Sequence, residues 1–279
     1  MTRAATSYGR YQVAEPPSAL LSVHQHDGTS TLKEVDHEPK VAVLDQEDLF
    51  AQGIRVSTFI PGAKDVDALG SCTANATTSA LSNMLSEAAF AAWVGEQVLV
   101  GGGTTYSDTV AAEKAAIRFY HGCTDQTGST AEEWPPTDCG SSGPYIVSEL
   151  ERLKLVKGAK IASGAQNIVS LLQTNGILQG TPWFYAAEEP DVHGFVDGDG
   201  SVSAIEALIN SGVAGGHETY QSAIEKLVVL PSGHVDPFNT VIRVRNSWGP
   251  SWGDHGSCRF HLSTLVAIQS ACDFRQLVA

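Results

Sequence analysis

The chain has 279 residues, 31 acidic against 17 basic, and a formal net charge of −14. That balance repels nucleic-acid phosphates and anionic membrane surfaces, and no stretch approaches the ~20 apolar residues that cross a bilayer. Hydrophobic residues at 42%, with 27 Gly and 12 Pro, describe a loop-rich globular protein, either one large domain or two lobes sharing a core. Met1 to Tyr11 carries charge but no following apolar run, so no secretory signal is readable, and the location stays open between cytoplasmic and virion-associated. Five cysteines, at 72, 123, 139, 258 and 272, contain no CxxC pair, which removes zinc-ribbon and thioredoxin readings. Cys123 with Cys139, and Cys258 with Cys272, are close enough in sequence to pair in an oxidising compartment.

In chain order, residues 1 to about 40 form an extension without sustained periodicity. It holds Pro16-Pro17 and the polar stretch His24 to Thr31. Lys40 to Leu44 reads as a short strand, and Pro61-Gly62 punctuates the chain before Asp65 to Cys72. From Cys72 a helix is expected for about twenty positions, with Cys72, Ala76, Ala80, Met84 and Ala88 on one small apolar face. Gly70-Ser71 supplies its turn and cap, which places Cys72 in the first turn. Further helices are expected over 107–120, over 144–155 with Ile146, Leu150 and Leu153 inward, and over 165–174. After Gly176 the pattern becomes β, with strands expected over 177–186, 216–230, 240–246 and 257–262. Helices first and strands later predict an α+β fold of two segregated lobes, about 65–175 mainly helical and about 176–279 mainly β.

Three local signals carry chemistry. Gly70-Ser71-Cys72-Thr73-Ala74-Asn75-Ala76 sets a thiol at a helix start. Gly215-Gly216-His217-Glu218 sets an imidazole in a strand after two glycines. Asn246-Ser247-Trp248-Gly249-Pro250-Ser251-Trp252-Gly253 lies at a strand end. In type and order they resemble the Cys, His and Asn boxes of the papain-like cysteine peptidases, the first box resembling a bacterial or phage-type GSCTANA variant. Cys72 and His217 are 145 positions apart (217 − 72), inside the roughly 130–150 that separate the pair in that family.

The resemblance covers about Lys40 to the C-terminus. It implies a two-lobed papain-like fold for 41–279, with the cleft between a helical and a β-rich lobe, no cofactor and no metal. It implies Cys72 as nucleophile, His217 as proton acceptor and donor, and Asn246 as the group that holds the imidazole. Trp248 would shield that hydrogen bond, and Gly215 and Gly216 would admit the substrate backbone. The physical need is clear: a free thiol titrates near ~8.5, and a helix N-terminus with a neighbouring imidazolium stabilises its thiolate. The implied activity is hydrolysis of a peptide or protein substrate through an acyl-thioester. The family's glutamine six positions before the cysteine, an oxyanion donor, is here Val66, between Asp65 and Asp67; Gln46 and Gln52 are the alternative donors if a loop folds back. Two other functions therefore stand beside the peptidase: a papain-like structural or binding protein with a weakened site, and a thiol amidase or acyl transferase.

Other features are weighed separately. Asp197-Gly198-Asp199-Gly200-Ser201-Val202 with Glu206 imitates part of a calcium loop, but its first position would be Phe195, so an acidic surface turn is expected. Trp93, Trp134 and Trp183 read as packing residues, and His24, His26 and His255 show no metal spacing. Seventy-one residues precede Cys72, some 40 more than the family's mature domains require. They lack the long helical pattern of an inhibitory propeptide. Residues 1–40 are expected to act as an extended arm, across the cleft or onto a protein partner.

Overall fold

β-Branched and aromatic residues crowd the segments after residue 176, and there the backbone pairs into a sheet. The computed structural model describes residues 32–39, 72–86, 150–151 and 154–279, with the side chains of Thr73 and Ala74 excepted. The expected strand 40–44, the helix 107–120, the cap at Gly70-Ser71 and Val66 lie outside these residues.

The strands are β1 (Val35–Asp36), β2 (Gly158–Ile161), β3 (Ile177–Phe184), β4 (Val213–Lys226), β5 (Val241–Arg245), β6 (Ser257–His261) and β7 (Asp273–Val278). They form one antiparallel sheet in the order β2-β7-β3-β4-β5-β6, with β1 beside β4. β3 carries Pro182, which cannot donate to a ladder. It is tolerated because β7 pairs with β3 only along Leu178–Gly180, so Pro182 lies past that pairing. β4 is the long central strand. β3 pairs with its Val213–Gln221 stretch, and β1 extends the same side at Ala223–Ile224. On its other side β5 begins only at Tyr220, so among the described residues the 213–219 stretch has no strand there.

The helices are α1 (Cys72–Met84), α2 (Ala165–Leu172), α3 (Val202–Asn210) and α4 (Leu262–Ile268). None is long and apolar enough to cross a membrane. α2 buries Ile168, Val169, Leu171 and Leu172 in one cluster with Trp183, Phe260 and the β5 aliphatics. β2 and α2, placed by sequence in the helical lobe, thus belong to the sheet and its core. α1 packs on β4 and β3. It was expected to bury one small face, but every described side chain from Asn75 to Ser82 is buried. An all-round buried helix is a central element. Ser79 satisfies its hydroxyl on the helix itself, donating to the Asn75 carbonyl at 3.0 Å.

Residues 32–39, on the arm side of the expected boundary at 40, are stitched into the sheet. Tyr220 Oη donates to the His37 carbonyl at 3.1 Å, Asn83 of α1 donates to the Glu38 carbonyl at 3.3 Å, and Ser222 donates to the Glu38 carboxylate at 2.7 Å. The segment therefore fastens α1 to β4. The Tyr220 ring occupies the space over Gly176, where an added Cβ would lie 2.2 Å from its hydroxyl oxygen. Residues 1–31 lie outside the description.

Arg243 and Arg259 stand directly opposite each other on β5 and β6, a pairing that repels. Glu225 from β4 takes both, bonding Arg243 at 2.9 Å and the Arg259 Nε at close range, while Asp254 takes Arg259 at 2.7 Å. Glu38 reaches Arg243 at 3.2 Å, so the ion network crosses from the 32–39 segment to β6.

The acidic run does form a turn with Gly198 and Asp199 exposed, but Asp197 at its start is buried: it accepts from the His261 N–H at 2.7 Å, from Thr264 Oγ1 at 2.5 Å and pairs with His261 Nδ1 at 3.0 Å. It supplies the cap that His261, the N-cap residue of α4, does not supply itself. Glu206 is exposed on α3, which starts after Ser201 caps the Ala204 N–H. Cys258 and Cys272 do not form a disulfide. Cys258 is enclosed in β6, and Cys272 donates to the Ile268 carbonyl at 3.2 Å.

Asp197→Ala should lower unfolding stability by about 2–4 kcal/mol in urea, because it leaves buried donors of His261 and Thr264 unmatched. Asp197→Asn, which keeps an acceptor oxygen, should cost less. The Asp254 carboxyl is held below the ordinary carboxylate range by the hydrogen bond from Arg259 and the charges of Arg259 and Arg243, against a smaller opposing effect of burial. The unfolded chain therefore binds the proton first as pH falls. The contribution is complete above the unfolded value near ~3.9 and is lost on acidification through the lower folded value. Asp254→Asn should flatten the fall of Tm with pH in that acid range.

Candidate active site

His217 sits in the middle of β4 opposite Thr181 of β3, and it is fully enclosed. Asn246 follows the last residue of β5, and its backbone N–H donates to the Gly256 carbonyl at 2.9 Å. The turn that follows folds back on itself. Gly249 and Gly253 take positive φ of 90° and 55°, and a Cβ at Gly253 would meet the Ser257 carbonyl at 2.3 Å. This is why the box alternates Trp and Gly: the glycines make the turns that send Trp248 and Trp252 into the core.

The Asn246 side chain settles the chemistry of the imidazole. Its Oδ1 accepts from the Ser247 backbone N–H at 2.7 Å, and only an oxygen can do so. The same atom lies 2.7 Å from His217 Nε2. An oxygen cannot donate, so Nε2 carries the proton and donates. The neutral ring therefore has its basic lone pair on Nδ1.

Aromatic rings wall the imidazole. Trp248 stacks on it, with ring centroids 4.8 Å apart and planes 26° from parallel. Trp183, from β3, meets it at 5.0 Å and 78°. Trp252 packs edge-on against Trp248 at 5.4 Å, and its N–H donates to the Glu188 carbonyl at 2.7 Å. Trp248 is thus one of a group of indoles around the His217–Asn246 bond, and both bonded residues are buried.

Cys72 is the first residue of α1 and is enclosed. A small crevice joins this helix to the two strands that carry His217 and Asn246. It is lined by Asn75, Ala76 and Ser79 of α1, by Glu218 and Thr219 of β4, and by Arg245, Asn246 and Ser247. Of the three expected site residues Asn246 lines the crevice and holds His217, while Cys72 stands at the start of the helix that packs on β4. Gly215 and Gly216 are partly exposed on β4 beside His217 and pair with Trp183 and Pro182. Among the described residues no group of three His, Cys, Asp or Glu side chains is arranged to hold a metal ion.

Sequence reading assigned Trp183 to packing only. Its place against the imidazole comes from the β3–β4 register, which sets Trp183 opposite Gly215, two positions before His217. Bulk missing at the glycine leaves room for the indole to lean toward the histidine.

No protein-family model and no curated protein matches the sequence. Solved structures do. The chain is similar to xylellain, a cysteine protease from Xylella fastidiosa, at 15% identity and a TM-score of 0.47, covering 100% of this chain and 98% of that one. It is similar to digestive procathepsin L2 proteinase from Tenebrio molitor larval midgut at 14% identity and a TM-score of 0.47, covering 98% and 78%. It is similar to procathepsin B from Trypanosoma congolense at 14% identity and a TM-score of 0.44, covering 96% and 86%.

Proposed function

We propose that this chain is a papain-like cysteine peptidase that cleaves peptide bonds through Cys72, His217 and Asn246. The observation that carries the reading is the double acceptance at Asn246 Oδ1. It locks His217 with Nε2 protonated and leaves Nδ1 as the base. The junction between α1 and β4 supports Cys72 as the group that gives its proton to Nδ1.

The steps follow from those roles. The Cys72 Sγ proton passes to His217 Nδ1, leaving a thiolate at the positive end of α1 beside an imidazolium. The thiolate attacks the substrate carbonyl carbon and the carbonyl oxygen takes the negative charge. His217 then returns the proton to the departing amine, and an acyl-thioester remains on Cys72. A water gives its proton to His217 as it attacks the thioester, and the acid product leaves with the thiol restored. Asn246 keeps its bond to Nε2 through both transfers, so the ring does not turn between steps. Among the described residues no strand pairs with β4 before Tyr220 on its β5 side, and there Gly215 and Gly216 give an extended substrate a backbone to lie against. The Cys72 backbone N–H serves as an oxyanion donor with a second from elsewhere, or, with Val66 in place of the family's glutamine, the enzyme is slower than a full donor set would give.

Iodoacetamide at pH 6 should label Cys72 ahead of Cys123, Cys139, Cys258 and Cys272, read by peptide mass spectrometry. Cys258 is the internal contrast, since burial pushes its thiol well above the usual range. Uniform labelling of the accessible thiols would refute the reading. Cys72→Ala should abolish peptide cleavage and keep stability within about 1–2 kcal/mol. Val66→Gln should raise turnover by ~10-fold or more if the missing donor limits it. An unchanged rate would mean that another donor already serves.

A further inference from the structure

The ring geometry assigns a second indole to the control of His217. The centroids of His217, Trp248 and Trp183 form a nearly equilateral triangle with sides of 4.8, 5.0 and 5.6 Å. Trp183 is steep to both of the others, at 78° and 77°. Had it lain over the free face of the imidazole, it would sit roughly twice the stacking distance from Trp248. It therefore stands beside the stack. An approach this close between perpendicular rings sets a face of one against an edge of the other; the arrangement that gives Trp183 a part in the chemistry is its face on the imidazole edge. His217 thus meets one indole face above its plane and another at its rim. An imidazolium concentrates positive charge on its rim and is attracted to an indole face from either direction.

Trp183 is 1% exposed, and among the described residues its own N–H has no hydrogen-bond partner. A buried donor left unmatched costs stability, and phenylalanine or leucine would fill a core site without that cost. We propose that Trp183 is a positioning residue for the Cys72–His217 proton transfer, holding the imidazole rim and favouring its protonated form through the indole face. The inference rests on the peptidase reading above. The charged neighbours at this junction are Glu218 and Arg245, on the strands beside His217 and Asn246, and the titratable group on α1 is Cys72. None of them lies on β3, so a change at Trp183 leaves them in place.

The test is the pH dependence of Cys72 alkylation by iodoacetamide, from pH 4 to 10, in the wild type, Trp183→Leu and Trp183→Phe. Trp183→Leu keeps apolar bulk and removes the π face. Labelling at pH 6 should fall by several-fold to about tenfold, while labelling near pH 9.5, where any thiol ionises, should change little. Trp183→Phe restores a smaller π face and should recover part of the loss. If Trp183→Leu does not fold by near-UV circular dichroism, Trp183→Phe and Trp183→Tyr carry the comparison, ordered by π-face strength. A profile that superimposes on the wild type, or one that falls equally at every pH, would overturn the role. A wild-type Cys72 that labels as an ordinary thiol would overturn the peptidase reading itself, whatever the variants do.

Discussion

One oxygen atom organises the site. Asn246 Oδ1 receives the Ser247 N–H and the His217 Nε2–H, and both bonds are buried. An imidazole placed at the centre of a sheet has lost water as a partner, so each of its polar atoms must be matched by protein. Matching Nε2 with an obligate acceptor fixes the ring's protonation as well as its position. The chemistry proposed for Cys72 needs that fixed tautomer. The tautomer in turn depends on the turn from 246 to 256 holding Asn246 at the end of β5.

The aromatic wall has two consequences of one arrangement. It removes water, which strengthens the His217–Asn246 bond, and it replaces part of the lost hydration of an imidazolium with indole faces. These effects oppose each other in sign for the charged ring: enclosure disfavours it and the π faces favour it. A wholly aliphatic wall would leave only the unfavourable part. Trp252 contributes indirectly, bracing Trp248 and tying the turn to the segment after β3 through the Glu188 carbonyl.

Further from the junction, polar and ionic contacts decide how α1 and the sheet are held. The segment 32–39 reaches α1 through Asn83, β4 through Tyr220 and Ser222, and β5 through the Glu38–Arg243 ion pair. Its partners are spread over 160 positions of sequence, from Asn83 to Arg243. Such contacts are partly solvated and each is worth little alone. Together they fix where the helix that carries Cys72 lies on the strand that carries His217. A catalytic pair split between a helix and a strand needs that placement held closely, since small displacements between reacting groups cost large factors in rate.

The sequence by itself determined the local parts. It set a cysteine at a helix start, a histidine after paired glycines in a strand, and a Trp-Gly turn after a strand-end asparagine. Runs of β-forming residues split by Gly, Pro and Asp clusters placed β3, β4, β5 and β6 to within a few residues. Only the tertiary structure decided what those parts face. Asp197 looked solvent-facing because its partners, His261 and Thr264, lie more than sixty positions away. α4 escaped notice for the same reason, since its cap comes from outside its own segment. α1 read as one-sided because its buried Asn, Thr and Ser side chains look solvent-facing until a sheet covers them. Trp183 read as packing because a strand's register with its neighbour is fixed by the whole sheet, and pairing it with Gly215 rather than one residue along turns the indole toward His217 instead of away.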